Sequence, residues 1–200
     1  MMDKNVSERI EDAIRKFKTV NKELVSSYQD GYIGKNVYNV TLEDGTSRKV
    51  EQITKRGTAG DAVVIIPITI DGNIVMIVQS RPNTKDTVSV ELPAGMVDDG
   101  EDYENAAIRE MLEETGYIAD NVYELEWHYQ DQGCSEAIIK TFVADGCRKV
   151  QEKQLSGGEA LEYVEMSYED ILNMIKTNEI NDANTKIAIM EYTLKQRGLL

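Results

Sequence analysis

From Ser7 to Val25 (SERIEDAIRKFKTVNKELV) the apolar residues Ile10, Ala13, Ile14, Phe17 and Leu24 fall on one side of a helical wheel. This spacing predicts an amphipathic helix with Ser7 as its N-cap. The pattern then changes to alternation. Val37–Leu42 and Lys49–Thr54 predict two strands joined through Asp44-Gly45, a strong hairpin signal. The run AVVIIPITI (62–70) is apolar almost throughout, which predicts a central strand buried on both faces. Across Asp71-Gly72-Asn73 it is expected to form a hairpin with IVMIVQ (74–79). Residues 80–100 predict loop with a short strand at VSVEL (88–92). Helix returns at Asp102–Glu114 and stops at Gly116, a natural C-terminal cap. Strands are expected at VYELEWHYQ (122–130), AIIKTFVA (137–144) and LEYVEM (161–166). Ser167, with Asp170 three residues later, resembles a capping box opening one helix. KIAIMEYTLKQ predicts another that ends at Gly198. Helix, strands, a central helix, more strands and two helices make a mixed α/β (α+β) fold with a strand-rich core.

Charge narrows the function classes. Acidic residues outnumber basic ones 36 to 22, for a formal net charge of −14. That balance argues against nucleic-acid binding, which needs a basic face. The N-terminal stretch lacks the apolar core of a signal peptide, and no apolar run is long enough to span a membrane. Two cysteines, Cys134 and Cys147, in no metal-ligand pattern fit a reducing compartment, so a cytoplasmic protein is expected. His128 is the one histidine, which excludes His-rich zinc sites.

The segment REMLEETGY (109–117) then needs a reason. Residues three and four apart share a helix face, so Glu110 looks at both Glu113 and Glu114, and like charges so placed weaken a helix. One reading is a solvated acidic face with an internal Arg109–Glu113 pair. The other is a set of hard oxygen ligands whose repulsion a magnesium or manganese ion would turn into chelation. Upstream, ELPAGMVDDGE (91–101) forms a turn held by Pro93 and Gly95, bringing backbone carbonyls and Glu101 towards the start of the same helix.

Taken from Gly95, the chain runs G-x5-E-x7-R-E-M-L-E-E-T-G-Y, and this resembles the Nudix box. Gly95, Glu101, Arg109, Glu110, Glu113, Glu114 and Gly116 match its fixed positions; Met111 occupies its first apolar position and Tyr117 its last. QSRPNTKDTVSVELPAG is similar to the ADP-ribose and nucleotide-sugar pyrophosphatase branch of that family. The likeness extends from residue 35 to residue 195. It implies a Nudix-type α/β/α sandwich with a mixed sheet over residues 59–200. Residues 1–58 would then be an N-terminal helix and β-hairpin element.

The resemblance also implies roles. The family hydrolyses nucleoside diphosphates linked to another moiety, using a divalent metal, Mg²⁺ or Mn²⁺. Carried onto this chain, Glu110 and Glu114 are the principal metal ligands, joined by the Ala94 carbonyl and by Glu113, and Glu113 and Arg109 are catalytic as well. Arg109 orients the glutamates and Glu101 braces Arg109, while Gly95 and Gly116 are structural. Arg81 matches the arginine that binds substrate phosphate, against an exposed loop charge. Glu91 would contact ribose hydroxyls, against a strand-end charge. For the general base the choice is Glu159, after the Gly157-Gly158 pair, with Glu162 and Glu136 as rivals and an exposed loop glutamate as the plain alternative.

The expected reaction is hydrolysis of the pyrophosphate bond in ADP-ribose or a related nucleoside diphosphate sugar. One departure bears on substrate. YQDQGCSE (129–136) lacks the proline usual in the ADP-ribose branch, so ADP-ribose itself is left open. The alternatives are a nucleoside-triphosphate pyrophosphatase, disfavoured by the N-terminal strands and the ELPAG run, and a nucleotide-sugar sensor without catalysis. The branch commonly forms homodimers through N-terminal strands, which here would be residues 35–56.

Overall fold

A computed structural model describes residues 4–55, 60–155, 158 and 160–200. The chain divides into two compact units, Met1–Ala59 with Asp131–Glu136, and Gly60–Gln130 with Ala137–Leu200.

In the first unit, helix α1 (Lys4–Phe17) is followed by strands β1 (Thr19–Gln29), β2 (Ile33–Leu42) and β3 (Ser47–Lys55), an antiparallel sheet in the order β1-β2-β3. The Asp44-Gly45 turn forms as the sequence predicts: Gly45 takes a positive φ and the Asp44 carboxylate accepts the Thr46 N–H at 2.9 Å. The helix expected to reach Val25 ends instead at Phe17, and residues 19–29 pair with β2. Val20 and Leu24 are four apart, which is one helical repeat but also two strand repeats, so periodicity alone cannot choose between them. The β2 partner, with its row of backbone groups, decides for strand. Ile10, Ile14 and Phe17 form an apolar stripe that is exposed.

The second unit is built on one mixed sheet. Its strands are β4 (Ala62–Thr69), β5 (Ile74–Arg81), β6 (Thr87–Glu91), β7 (Ala94–Met96), β8 (Tyr117–Ile118), β9 (Asn121–Tyr129), β10 (Ile138–Lys149) and β11 (Leu161–Met166). The order β11-β5-β4-β10-β8 forms the spine, with β6 on β5, β7 on β4 and β9 on β10. Helices α2 (Tyr103–Thr115), α3 (Tyr168–Lys176) and α4 (Ala183–Gln196) complete it. Strand β4 is buried as its apolar run predicts, and its alternating residues separate two cores. Val63 and Ile65 pack with Ala106, Ala107 and Met111 of α2. Val64 and Ile66 pack with Ile171 of α3 and Ala188 and Ile189 of α4. One helix on one face and two on the other give the expected α/β/α layering.

Two details depart from the sequence reading. The β4–β5 connection turns at Gly72, yet the two strands pair only at Ile68–Ile74. β4 takes its long ladder from β10, in parallel, and a short one from β7. The strands β7 and β8 themselves were not expected, being too short to show any period.

Candidate active site

The site is assembled where β7 lies under α2. Strand β6 ends at Glu91, and Pro93 passes the chain into β7, where Ala94 opposes Val64 and Gly95 opposes Val63. The crossing is tied down twice: the Leu92 N–H donates to Thr185 Oγ1 at 2.9 Å, and the Ile65 N–H to the Pro93 carbonyl at 3.0 Å. Helix α2 starts where Asp102 accepts the Glu104 N–H at 3.0 Å, and it ends on Gly116 in the left-handed region at φ 77°. Both ends are thus set by local sequence, and they fix the face that α2 turns to β7.

Arg109 organises that face. Its Nε and Nη2 donate to the two oxygens of Glu101 at 2.9 and 2.8 Å, a bidentate fork. Nη2 also donates to the Met96 carbonyl at 3.0 Å, and Nη1 donates to Glu110 Oε1 at 2.7 Å. Glu113 lies 3.7 Å from Nη1. A planar guanidinium can hold these partners at once, whereas an ammonium cannot present the same rigid fork. The bonds from Arg109 hold the Glu101 carboxyl below its ordinary range, and the same contacts push Arg109 further above its own.

The glutamates separate by environment. Glu110 lies over Gly95, where a Cβ would overlap its carboxylate. Glu114 is only 4% exposed, and its Oε2 accepts the Ala94 N–H at 3.1 Å. A solvated acidic face therefore does not describe α2: Glu114 points into the strand layer, because β7 offers it a backbone donor. Glu113 is the most open of the three. Among the described residues no three acidic, cysteine or histidine side chains are gathered as a ready cation cage. The three carboxylates share one helix face and hold different partners.

Arg81 and Glu91 meet each other. Arg81 Nε and Nη2 donate to the Glu91 oxygens at 2.9 and 2.6 Å, and Gln79 Nε2 donates to Glu91 Oε2 at 3.0 Å. The candidate bases lie elsewhere. Glu159 falls outside the described residues. Glu162, on β11, is exposed and pairs with Lys153 at 2.6 Å. Glu136 belongs to the first unit, 3.7 Å from Lys22. In the proline-free loop, Asp131 ties the turn to itself. Its carboxylate accepts the Gly133 N–H and the Cys134 thiol, both at 3.0 Å.

Sequence reasoning missed Gln79, Thr185 and the Met96 carbonyl. Gln79 had a signal, since it stands two residues from Arg81 on the same strand face. Thr185 had none, lying far along the chain from the Leu92 it supports. Gly116 gives a first expected result. A Cβ there would meet the Gln151 carbonyl oxygen, and the left-handed φ adds strain for any L side chain. Gly116→Ala is expected to cost at least about 2 kcal/mol of stability, read as a lowered midpoint in denaturant unfolding.

A NUDIX domain is matched over residues 58–186. The chain is 34% identical over 180 residues to an ADP-ribose pyrophosphatase of Bacillus subtilis (strain 168), covering 90% of this chain and 94% of that one. It is 33% identical over 161 residues to a methanol dehydrogenase activator of Bacillus methanolicus, covering 80% and 84%. Among solved structures, that of an ADP compounds hydrolase superposes with a TM-score of 0.74 at 22% identity, covering 92% and 97%. No helix among the described residues is long and apolar enough to cross a membrane. With the Arg109-centred carboxylates laid over β7 and a matched domain spanning most of its length, the chain belongs to the Nudix family.

Proposed function

We propose that this protein hydrolyses the pyrophosphate bond of ADP-ribose or a related nucleoside diphosphate sugar, releasing a nucleoside monophosphate and a sugar phosphate. The observation that carries the reading is the Arg109 hub, which fixes Glu101, Glu110 and the Met96 carbonyl in one array. The likeness to an ADP-ribose pyrophosphatase over nearly the whole chain supports the substrate class.

The residues fit a hard divalent cation. Glu110, Glu113, Glu114 and the Ala94 carbonyl are all oxygen donors, with no thiolate or imidazole among them, which suits Mg²⁺ or Mn²⁺. Bound there, the cation supplies neutralisation of the pyrophosphate charge and a water of lowered proton affinity. Arg109 holds Glu110 in place, so that carboxylate need not be ordered when substrate arrives. Arg81, half-open to solvent, takes a phosphate oxygen. On sequence grounds Glu159 remains the choice for the base that accepts the proton of the attacking water.

In this reading residues 59–200 are the hydrolytic domain and residues 1–58 the accessory element, which builds a homodimer through residues 35–56. Exposed Ile33 and Ile53 on β2 and β3 are apolar positions at or beside that segment. A cytoplasmic site of action is supported by the two free cysteines, Cys134 and Cys147. The test is a panel of ADP-ribose, other nucleoside diphosphate sugars and nucleoside triphosphates, each with and without Mg²⁺ or Mn²⁺. The expected result is metal-dependent turnover of the diphosphate sugars above the triphosphates. Preferred turnover of triphosphates, with pyrophosphate released, would overturn it.

A further inference from the structure

Strands β5 and β6 pair so that Ile77 opposes Glu91 and Arg81 opposes Thr87. Residues 77, 79 and 81 share one strand face by the two-residue period, and Glu91 stands on that same face. Its carboxylate is occupied by the protein itself. Oε1 accepts the Arg81 Nε–H, while Oε2 accepts from Arg81 Nη2 and from Gln79 Nε2. The Glu91 side chain is 6% exposed, while that of Arg81 is 45% exposed. For a carboxylate so withdrawn from water, these donors replace the hydrogen bonds of solvent. Three of its about four acceptor sites are taken, and its burial leaves little of the carboxylate within reach of a ribose hydroxyl.

The guanidinium has the opposite balance. It carries five N–H groups in one rigid plane, and Glu91 takes two along the Nε–Nη2 edge. Three remain on the other edges of a half-open side chain. Because the fork is planar, fixing one edge fixes the direction of the rest. The charge of Arg81 is secure as well, since Glu91, Asp182 and Glu114 all favour its protonated form.

We propose that Glu91, steadied by Gln79, is a positioning residue. It grips Arg81 side-on, so that the remaining N–H edge meets a phosphate oxygen of the bound nucleoside diphosphate, and it does not itself touch the substrate. This rests on the pyrophosphohydrolase reading above. Without Glu91 the long arginine side chain regains its rotamers, and the loss falls on ground-state binding. Every effect of Glu91 then passes through Arg81.

A double-mutant cycle tests this, with ADP-ribose and Mg²⁺ and with KM and kcat measured separately. Glu91→Gln is expected to raise KM about tenfold and to leave kcat within about twofold. Arg81→Ala raises KM further, and the double variant matches Arg81→Ala alone. A Glu91→Gln penalty that persists in full beside Arg81→Ala overturns the proposal, because Glu91 then acts on its own. So does an unchanged KM. If Glu91→Gln fails to fold, Gln79→Met reads the same chain of contacts. Its smaller rise in KM must also vanish beside Arg81→Ala, and a rise that persists there overturns the proposal equally. Failure of the underlying reading is separate and visible first, as folded wild-type protein that turns over no nucleoside diphosphate sugar. An active wild type with an additive cycle removes only the positioning role.

Discussion

Glu114→Gln is expected to lower turnover of ADP-ribose by about 10³-fold or more, while the melting temperature of the metal-free protein stays level or rises. The substitution is nearly isosteric, and the amide oxygen can still accept the Ala94 N–H that Glu114 now accepts. What is lost is a negative charge at a position only 4% exposed. With the hydrogen bond kept, removing one of three carboxylates crowded on this helix face relieves like-charge repulsion, and that relief is expected to offset the lost attraction to Arg81. Losing a hard anionic ligand does remove affinity for a divalent cation. A second readout follows. Wild-type protein should gain about 2.7 kcal/mol when Mg²⁺ is raised to a hundred times its dissociation constant, and the variant should gain far less at the same concentration. Thermal unfolding with and without Mg²⁺, beside steady-state kinetics, measures both. A fall in metal-free melting temperature, or activity kept within about tenfold, would count against Glu114 as a metal ligand.

Gly95→Ala should separate catalysis from stability by a different route. The φ of Gly95 lies outside the left-handed region, so the backbone tolerates alanine in β7. The space does not, because the new methyl would overlap the Glu110 carboxylate. That carboxylate is the far end of a flexible side chain, so folding is expected to lose no more than about 1 kcal/mol. The displaced Glu110 would, however, leave its 2.7 Å bond with Arg109 Nη1. Misplacing a catalytic group by about 1 Å costs about 10²-fold, and that is the expected fall in kcat. Kinetics and denaturant unfolding on one preparation decide it. Full activity would show that the close approach of Glu110 to β7 has no part in turnover.

These residues also show what the linear pattern can carry. Both ends of α2 were legible because Asp102 and Gly116 act on their own backbone neighbours, through a cap and a left-handed turn. The central place of β4 was legible from an unbroken apolar run, since a strand covered on both faces has no polar side to display. Strand β1 was not, because Val20 and Leu24 satisfy both periods and only pairing with β2 selects one. The burial of Glu114 was not legible either. A helical wheel places it beside Glu110, but its surroundings depend on a backbone donor in a three-residue strand without period. The grip of Glu91 on Arg81 likewise depends on the register of β5 against β6, which neither strand states alone.

The most direct test of the central claim is to follow ADP-ribose by phosphorus NMR with the wild-type protein and Mg²⁺. For ADP-ribose or another nucleoside diphosphate sugar of a panel, the account predicts loss of the two pyrophosphate resonances with equal growth of a nucleoside monophosphate and a sugar phosphate (AMP and ribose 5-phosphate from ADP-ribose). It predicts no inorganic phosphate, and no reaction once the metal is chelated. Unchanged pyrophosphate resonances with ADP-ribose and with a panel of other nucleoside diphosphate sugars, in protein shown to be folded and supplied with Mg²⁺ or Mn²⁺, would contradict it.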